Sequence, residues 1–359
     1  MGGWSALRGR RPVSLLTALA ASAALLIAPL AGHDQPVPLQ SVAQVWPNAK
    51  HAVVTADLAD GTSYQPLLFF TATDSVGSAP TKDGKALRLL IRHADGSLRQ
   101  LRRLPSGSDP SFPAVTVAGG LLVWAESTAN GHQELWSADL RGGSARRLTA
   151  DTGDARFYQS QYDLVVAAGR VHWVAAGPGD TTQVRSVALT GGPTDVRNEP
   201  GTWAFTAWPW LSDGVVNSAG TTVLRNVTTG QDSPVPATAR GVTACSPTWC
   251  QVVSLTKDGT PRIDLMHPDG SARRTIAGGA AATVIADVAV LDRYEVISQL
   301  TPTSELTGNV QLLLYEISTR RTVEVSPDAF SVAYRAGILS WSTGTQQSFI
   351  RHALDLRSL

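Results

Sequence analysis

The sequence is short of the side chains that anchor most recognisable chemistry. Its 359 residues include two cysteines, two methionines and seven histidines, and only 16% are charged, against about a quarter in an average globular protein. With two cysteines and no histidine beside them, a structural zinc site has too few ligands. The histidines are scattered singly, so no H-E-x-x-H or H-x-H group exists for a catalytic metal. No G-x-S-x-G elbow occurs, which excludes a serine hydrolase of the prolyl-oligopeptidase type. Neither sign of charge dominates: 30 lysines and arginines face 29 aspartates and glutamates. That leaves no basic surplus to neutralise phosphates and argues against nucleic-acid binding. An apolar content of 43% with so little charge also argues against disorder.

Long apolar runs are confined to the start of the chain. The first 32 residues hold no acid, carry Arg8, Arg10 and Arg11, and continue into the leucine- and alanine-rich run 13–31. This is the charged and then greasy layout of a secretory signal. Cutting after Ala31 would place Pro29 at the minus-three position, and the run is nearly long enough to cross a bilayer. Residues 1–32 are therefore read as a signal peptide or an uncleaved signal-anchor, the latter being the one route to membrane contact. Residues 33–359 are expected outside the cytoplasm as one domain, secreted or associated with the cell envelope. Removing the leader leaves 27 basic against 29 acidic residues, a net charge of −2.

What is present is repetition. An alternating strand, a Gly or Asp-Gly turn and a short strand with paired arginines recur at Ala86–Leu104, Glu134–Thr149 and Arg262–Ile276. Weaker copies turn at Gly191, Gly230 and Arg320. Upstream of such phrases lies a second hairpin: Ala114–Gly120 into Leu121–Trp124, Asp163–Gly169 into Arg170–Trp173, and Ser331–Gly337 into Ile338–Trp341, with a tryptophan at the same place each time. Two hairpins per unit and a period in the forties of residues are the spacing of a β-propeller. The fold class expected is all-β, a propeller of seven four-stranded blades, or six if one unit is spurious. The last unit lacks its outer strand, while the chain before the first unit holds two strand-like stretches, Val42–Trp46 and Ala52–Asp57. One of them, with Val42–Trp46 preferred, is expected to complete the last blade and remove an open edge.

The phrases Glu134–Thr149 and Arg262–Ile276 resemble the repeats of TolB-like and WD40-like propellers, in which a strand ends in an Asp-Gly-Ser type turn and resumes with Arg-Arg-Leu-Thr. The resemblance implies the fold and, from what is understood of TolB, a periplasmic protein-interaction scaffold. The chain leaves no room for the α/β domain that precedes the propeller in TolB, which puts that protein's partner network in doubt.

Candidate sites are few. Cys245 and Cys250, separated by Ser-Pro-Thr-Trp, read as a disulfide locking a hairpin in an oxidising compartment. Trp203, Phe205, Trp208 and Trp210 form the densest aromatic group in a chain with 6% aromatics. They are the candidate ligand-binding residues if a ring is exposed, and otherwise filling between blades. Loop carboxylates such as Asp57, Asp60, Asp151 and Asp154 are abundant but explained by turn chemistry. No catalytic or metal-binding residue is assigned and no cofactor is expected. The arginine pairs fall on outermost strands, where charge deters edge pairing. The functional expectation is a monomeric, non-catalytic binding scaffold for an unidentified protein or envelope polymer. The alternatives are a carbohydrate-active propeller enzyme or a membrane-anchored sensor ectodomain.

Overall fold

In the computed structural model, which describes residues 39–359 apart from Val216 and Ala239, the recurring glycine turns are two-residue hairpins. At Gly119–Gly120 both turn residues have positive φ, 57° and 81°. Strands with a right-handed twist need that conformation in so short a connection, and glycine adopts it without a steric penalty. Ala168–Gly169 and Ala336–Gly337 repeat it with alanine in the first position, at φ 49° and 50°. The leader assigned to residues 1–32 lies outside the described residues, as does His33. No helix among the described residues is long and apolar enough to cross a membrane.

The strands form antiparallel sheets that follow one another along the chain. Four-stranded sheets cover residues 65–105, 115–149, 204–234 and 241–278, and a five-stranded one covers 154–200. The last sheet has seven strands because one long strand, Arg321–Arg335, serves two groups. Its first half pairs with Val310–Glu316 and its second half with Ile338–Gly344. Each half thus belongs to a quartet: a sixth over 281–329, and a seventh made of 330–335, Ile338–Gly344, Phe349–Asp355 and His51–Val54. Second strands such as Leu121–Ser127 and Tyr294–Gln299 are buried on both faces, which accounts for their continuous apolar sequence.

The strand that completes the seventh quartet is His51–Val54, antiparallel to Phe349–Asp355, with Ala52 opposite Ala353. The preferred Val42–Trp46 stretch does something else: Val42–Val45 is a short helix. Gln44 accepts the Ser41 N–H at 2.8 Å, the N-terminal arrangement of a helix start. The helix carries Trp46 to an edge-on contact with Tyr294, centroids 5.9 Å apart, beside the sixth and seventh quartets.

Apolar clusters join each sheet to the next. Val76, Leu89 and Ile91 of the first pack on Val115 and Trp124 of the second, and Val123 and Leu135 of the second pack on Val171 and Trp173 of the third. The series continues through Val184 with Phe205, Leu224 with Val252, Leu265 with Ile297, and Leu314 with Leu339. A further cluster sets Val54, Ile338 and Ala353 of the seventh quartet on Phe69 of the first sheet. Arginines reinforce these seams by donating to carbonyls of the neighbouring sheet. Arg99 reaches Asp139 and Gly143, Arg146 reaches Leu189, Arg197 reaches Val227, Arg274 reaches Ile317, and Arg357 reaches Phe70. Members of the paired arginines therefore hold neighbouring sheets together, a role beyond the shielding of a strand edge.

Candidate functional site

The aromatic group of the fourth sheet is divided between packing and surface. Trp203 and Phe205 are buried in the seam with the third sheet, and Trp208 and Trp210 are half-buried. Trp208 lies on the His172 ring, centroids 3.8 Å apart. Burial pushes His172 down to about 4, so the ring under Trp208 is neutral at physiological pH. Cys245 and Cys250 face each other across their hairpin as a disulfide, with Cα atoms 4.0 Å apart. Three of the four loop carboxylates named from sequence serve local structure. Asp60 accepts from the hydroxyl and N–H of Thr62, which hold it down at about 2 with help from Arg88. Asp151 pairs with Arg185, and Asp154 with Arg156.

The chemically unusual group was not among these. In the third sheet the first strand is interrupted: Asp154–Ala155 and Val165–Ala167 both pair with Arg170–Ala176, at opposite ends. Between them the chain leaves the sheet and reaches two quartets that are not its neighbours in the succession. Ser160 Oγ donates to Asp287 of the sixth quartet at 3.1 Å, and Arg335 of the seventh donates to the Gln159 carbonyl at 3.0 Å. Asp163 closes the loop by accepting the Tyr158 N–H at 2.8 Å. Glu295 lies nearby, accepting from the Gln251 side chain and from the Ala289 N–H at 2.8 Å.

Burial dominates the electrostatics of this cluster. Asp163 is pushed up to about 7 by desolvation, which outweighs its backbone hydrogen bonds and the charge of Arg335. Its second oxygen is buried without a partner, as suits a carboxyl that keeps its proton. Asp287, only partly covered from solvent but closely surrounded by protein, is raised to about 6, again by desolvation. Glu295 is raised to about 8 by burial, with the Asp287 charge adding to it. Tyr162 is raised to about 12 by the same causes. A cleft of about 180 Å³ beside the loop is bounded by Leu68, Val117, Tyr162 and Arg335, which come from three different sheets and the seventh quartet. Among the described residues no three potential ligands gather to hold a metal ion. Asp163 and Asp287 hold the crossing loop through Tyr158 and Ser160, while Glu295 ties Gln251 to Ala289.

Of three comparisons with known proteins, only the one with solved structures finds a likeness to this chain. No family model matches it, and no curated protein sequence does. Among solved structures it is similar to the uncharacterized protein lmo1340 from Listeria monocytogenes EGD-e, at 9% identity over 80% of this chain and 91% of that one, TM-score 0.53. It also aligns with the β-propeller domain of the Trilobed protease from Pyrococcus furiosus, at 9% identity over 79% and 89%, TM-score 0.48. A putative TolB from Agrobacterium tumefaciens aligns at 14% identity over 65% and 85%, TM-score 0.41. The likeness at such identities is one of fold, that of an all-β chain of successive four-stranded sheets.

Proposed function

We propose that the chain is an exported β-propeller of seven four-stranded blades, acting as a non-catalytic binding scaffold for a protein or polymer of the cell envelope. In this reading the five separate sheets are blades one to five, and the seven-stranded sheet is two blades sharing a strand. His51–Val54 supplies the outer strand of the seventh. The observation that carries it is the cluster of Val54, Ile338, Ala353 and Phe69, which packs the last quartet on the first as every earlier pair is packed. The crossing loop agrees, because a segment of blade three can meet blades six and seven across the middle of a ring. Export rests on the arginine-bearing apolar leader, and the Cys245–Cys250 disulfide fits an oxidising compartment. A binding role is favoured because Asp163 and Asp287 are engaged in holding the loop.

The test is capture from a cell-envelope extract by the exported protein, at physiological salt. Retention of one component that an unrelated propeller does not retain is expected; no such component would overturn the scaffold reading. One observation favours a carbohydrate-active alternative: Asp163 and Asp287 are raised toward neutrality, as a general acid requires. Release of reducing ends from envelope glycans that is lost in Asp163→Asn and Asp287→Asn would establish it. The anchored-sensor alternative is decided by intact mass, since loss of residues 1–32 from the exported protein refutes it.

A further inference from the structure

A second cleft, of about 290 Å³, opens between the seventh quartet and the first strand of the first sheet. Its walls include Phe69, Phe330 and Phe349, and Phe330 meets Phe349 edge-on with centroids 6.1 Å apart. Arg351 also lines it, with its guanidinium 4.9 Å from the Phe349 ring centre. This arginine is 9% exposed, and it donates to the Tyr64 and Ala56 carbonyls and to Gln65 Oε1. Among the described residues it forms no ion pair; the acid whose charge reaches it is Asp57. A buried guanidinium without a counter-ion is costly, and elsewhere in this molecule it is avoided. Arg185, the other buried arginine among the described residues, is paired with Asp151.

A neighbouring group is also unsatisfied. The indole N–H of Trp124 donates to Glu126 at 2.9 Å and that of Trp173 to the Thr152 carbonyl at 2.8 Å. Trp341, at the corresponding place in the seventh quartet and in the wall of the cleft, is 5% exposed and has no acceptor. The position two residues on, which is Glu126 in the second sheet, is Thr343 here, and Thr343 bonds His352 at 3.0 Å instead. The cleft thus combines a positive charge without an ion-pair partner and apolar rings, and one of its wall residues holds a buried N–H without an acceptor.

We propose that this cleft binds the carboxylate end of a peptide, with Arg351 as its counter-charge and Phe330 and Phe349 receiving the terminal side chain. The proposal rests on the scaffold reading and names the ligand class. Three of the five guanidinium donors are already engaged, which leaves capacity for one carboxylate rather than a phosphate dianion. A sugar would need an exposed flat ring, and the Trp341 face is covered. The rim residues Gln65 and Gln346 are exposed and offer amide groups that match a peptide backbone.

The probes are an N-acetylated dipeptide ending in phenylalanine, as the free acid and as the C-terminal amide, titrated calorimetrically into the full exported protein. The free acid is expected to bind at least about tenfold more tightly than the amide. Ala333→Trp, which fills the cleft from an exposed position, is expected to abolish binding while leaving the melting temperature unchanged. Arg351→Lys is expected to weaken the free acid and not the amide. Equal binding of the two probes, binding that survives Ala333→Trp, or no binding at all would overturn the proposal and leave Arg351 as a link between sheets. An envelope component captured equally by wild type and Ala333→Trp would refute the cleft while sparing the scaffold. Dipeptide binding without any captured component would do the reverse.

Discussion

Glu126 shows how a single buried group ties two sheets. It is 5% exposed, lies in the second sheet, accepts from Arg102 of the first with both oxygens, at 2.5 and 2.9 Å, and takes the Trp124 N–H at 2.9 Å. Truncating it strands a guanidinium and an indole N–H together, so Glu126→Ala is expected to lower stability by about 3 kcal/mol, as for other broken buried pairs. Glu126→Gln keeps an acceptor and is expected to cost less; urea unfolding of the two variants checks the order. The central carboxyls work in the opposite sense. Asp163 at about 7, Asp287 at about 6 and Glu295 at about 8 hold protons that the unfolded chain releases near pH 4. At these three groups the folded state binds more protons across that window, so the stability they contribute is greatest at its low end and is lost as pH rises from about 4 toward 8, while His172, lowered by burial, contributes in the opposite sense between about 4 and 6.5. Asp163→Asn mimics the protonated form and is expected to flatten this decline. Parallel urea midpoints of wild type and variant at pH 5 and pH 8 measure it; an unchanged slope would mean that Asp163 is already ionised in the fold.

Among the elements, the segment before the first sheet invites the most direct test. A chain starting at His51 loses the short helix, the contact of Trp46 with Tyr294 and the single bridge from Ser41 to Glu324, which should lower the melting temperature while uncovering the strand Arg321–Arg335 at that one residue only. A chain starting at Thr55 also loses His51–Val54 and leaves Phe349–Asp355 as an open edge, so it is expected to aggregate as well. Light scattering during the melt separates the two; equal behaviour would show that the added strand is dispensable. The same segment marks the limit of what could be read from residues. Glycine turns were legible because positive φ restricts the choice of residue, and Gly96, Gly143, Gly191, Gly230 and Gly270 in these turns all adopt it. Val42–Trp46 was misleading because alternation over so few residues fits either a strand or one helical turn, although Ser41 and Gln44 carried the helix-start signal. The carboxyl cluster was illegible for another reason. Ser160 and Asp287 are 127 residues apart, and nothing local distinguishes Asp163 or Asp287 from an ordinary turn aspartate. The arginine pairs were placed on outer strands from their phrases, but their carbonyl partners depend on the offset between sheets.

At the scale of the whole molecule, a closed ring and an open row of sheets differ in one respect that can be measured: a ring has no end. In an open row, stability is a sum of neighbouring terms and terminal units fray first, so a lesion between the last and first units would be nearly silent. In a ring that seam is equivalent to any other. Phe69 is 5% exposed in the seam between the seventh quartet and the first sheet, and Phe205 is 6% exposed in the seam between the third and fourth. Replacing either ring by alanine removes the same side chain from a buried contact between sheets, a change that costs about 3 to 5 kcal/mol in protein cores. Phe69→Ala and Phe205→Ala are therefore expected to destabilise the molecule to a similar extent. Each should still give a single unfolding transition that coincides by near-ultraviolet and far-ultraviolet circular dichroism. A Phe69→Ala protein as stable as wild type, or one that melts in two steps with the first confined to the chain ends, would show that the last quartet does not rest on the first.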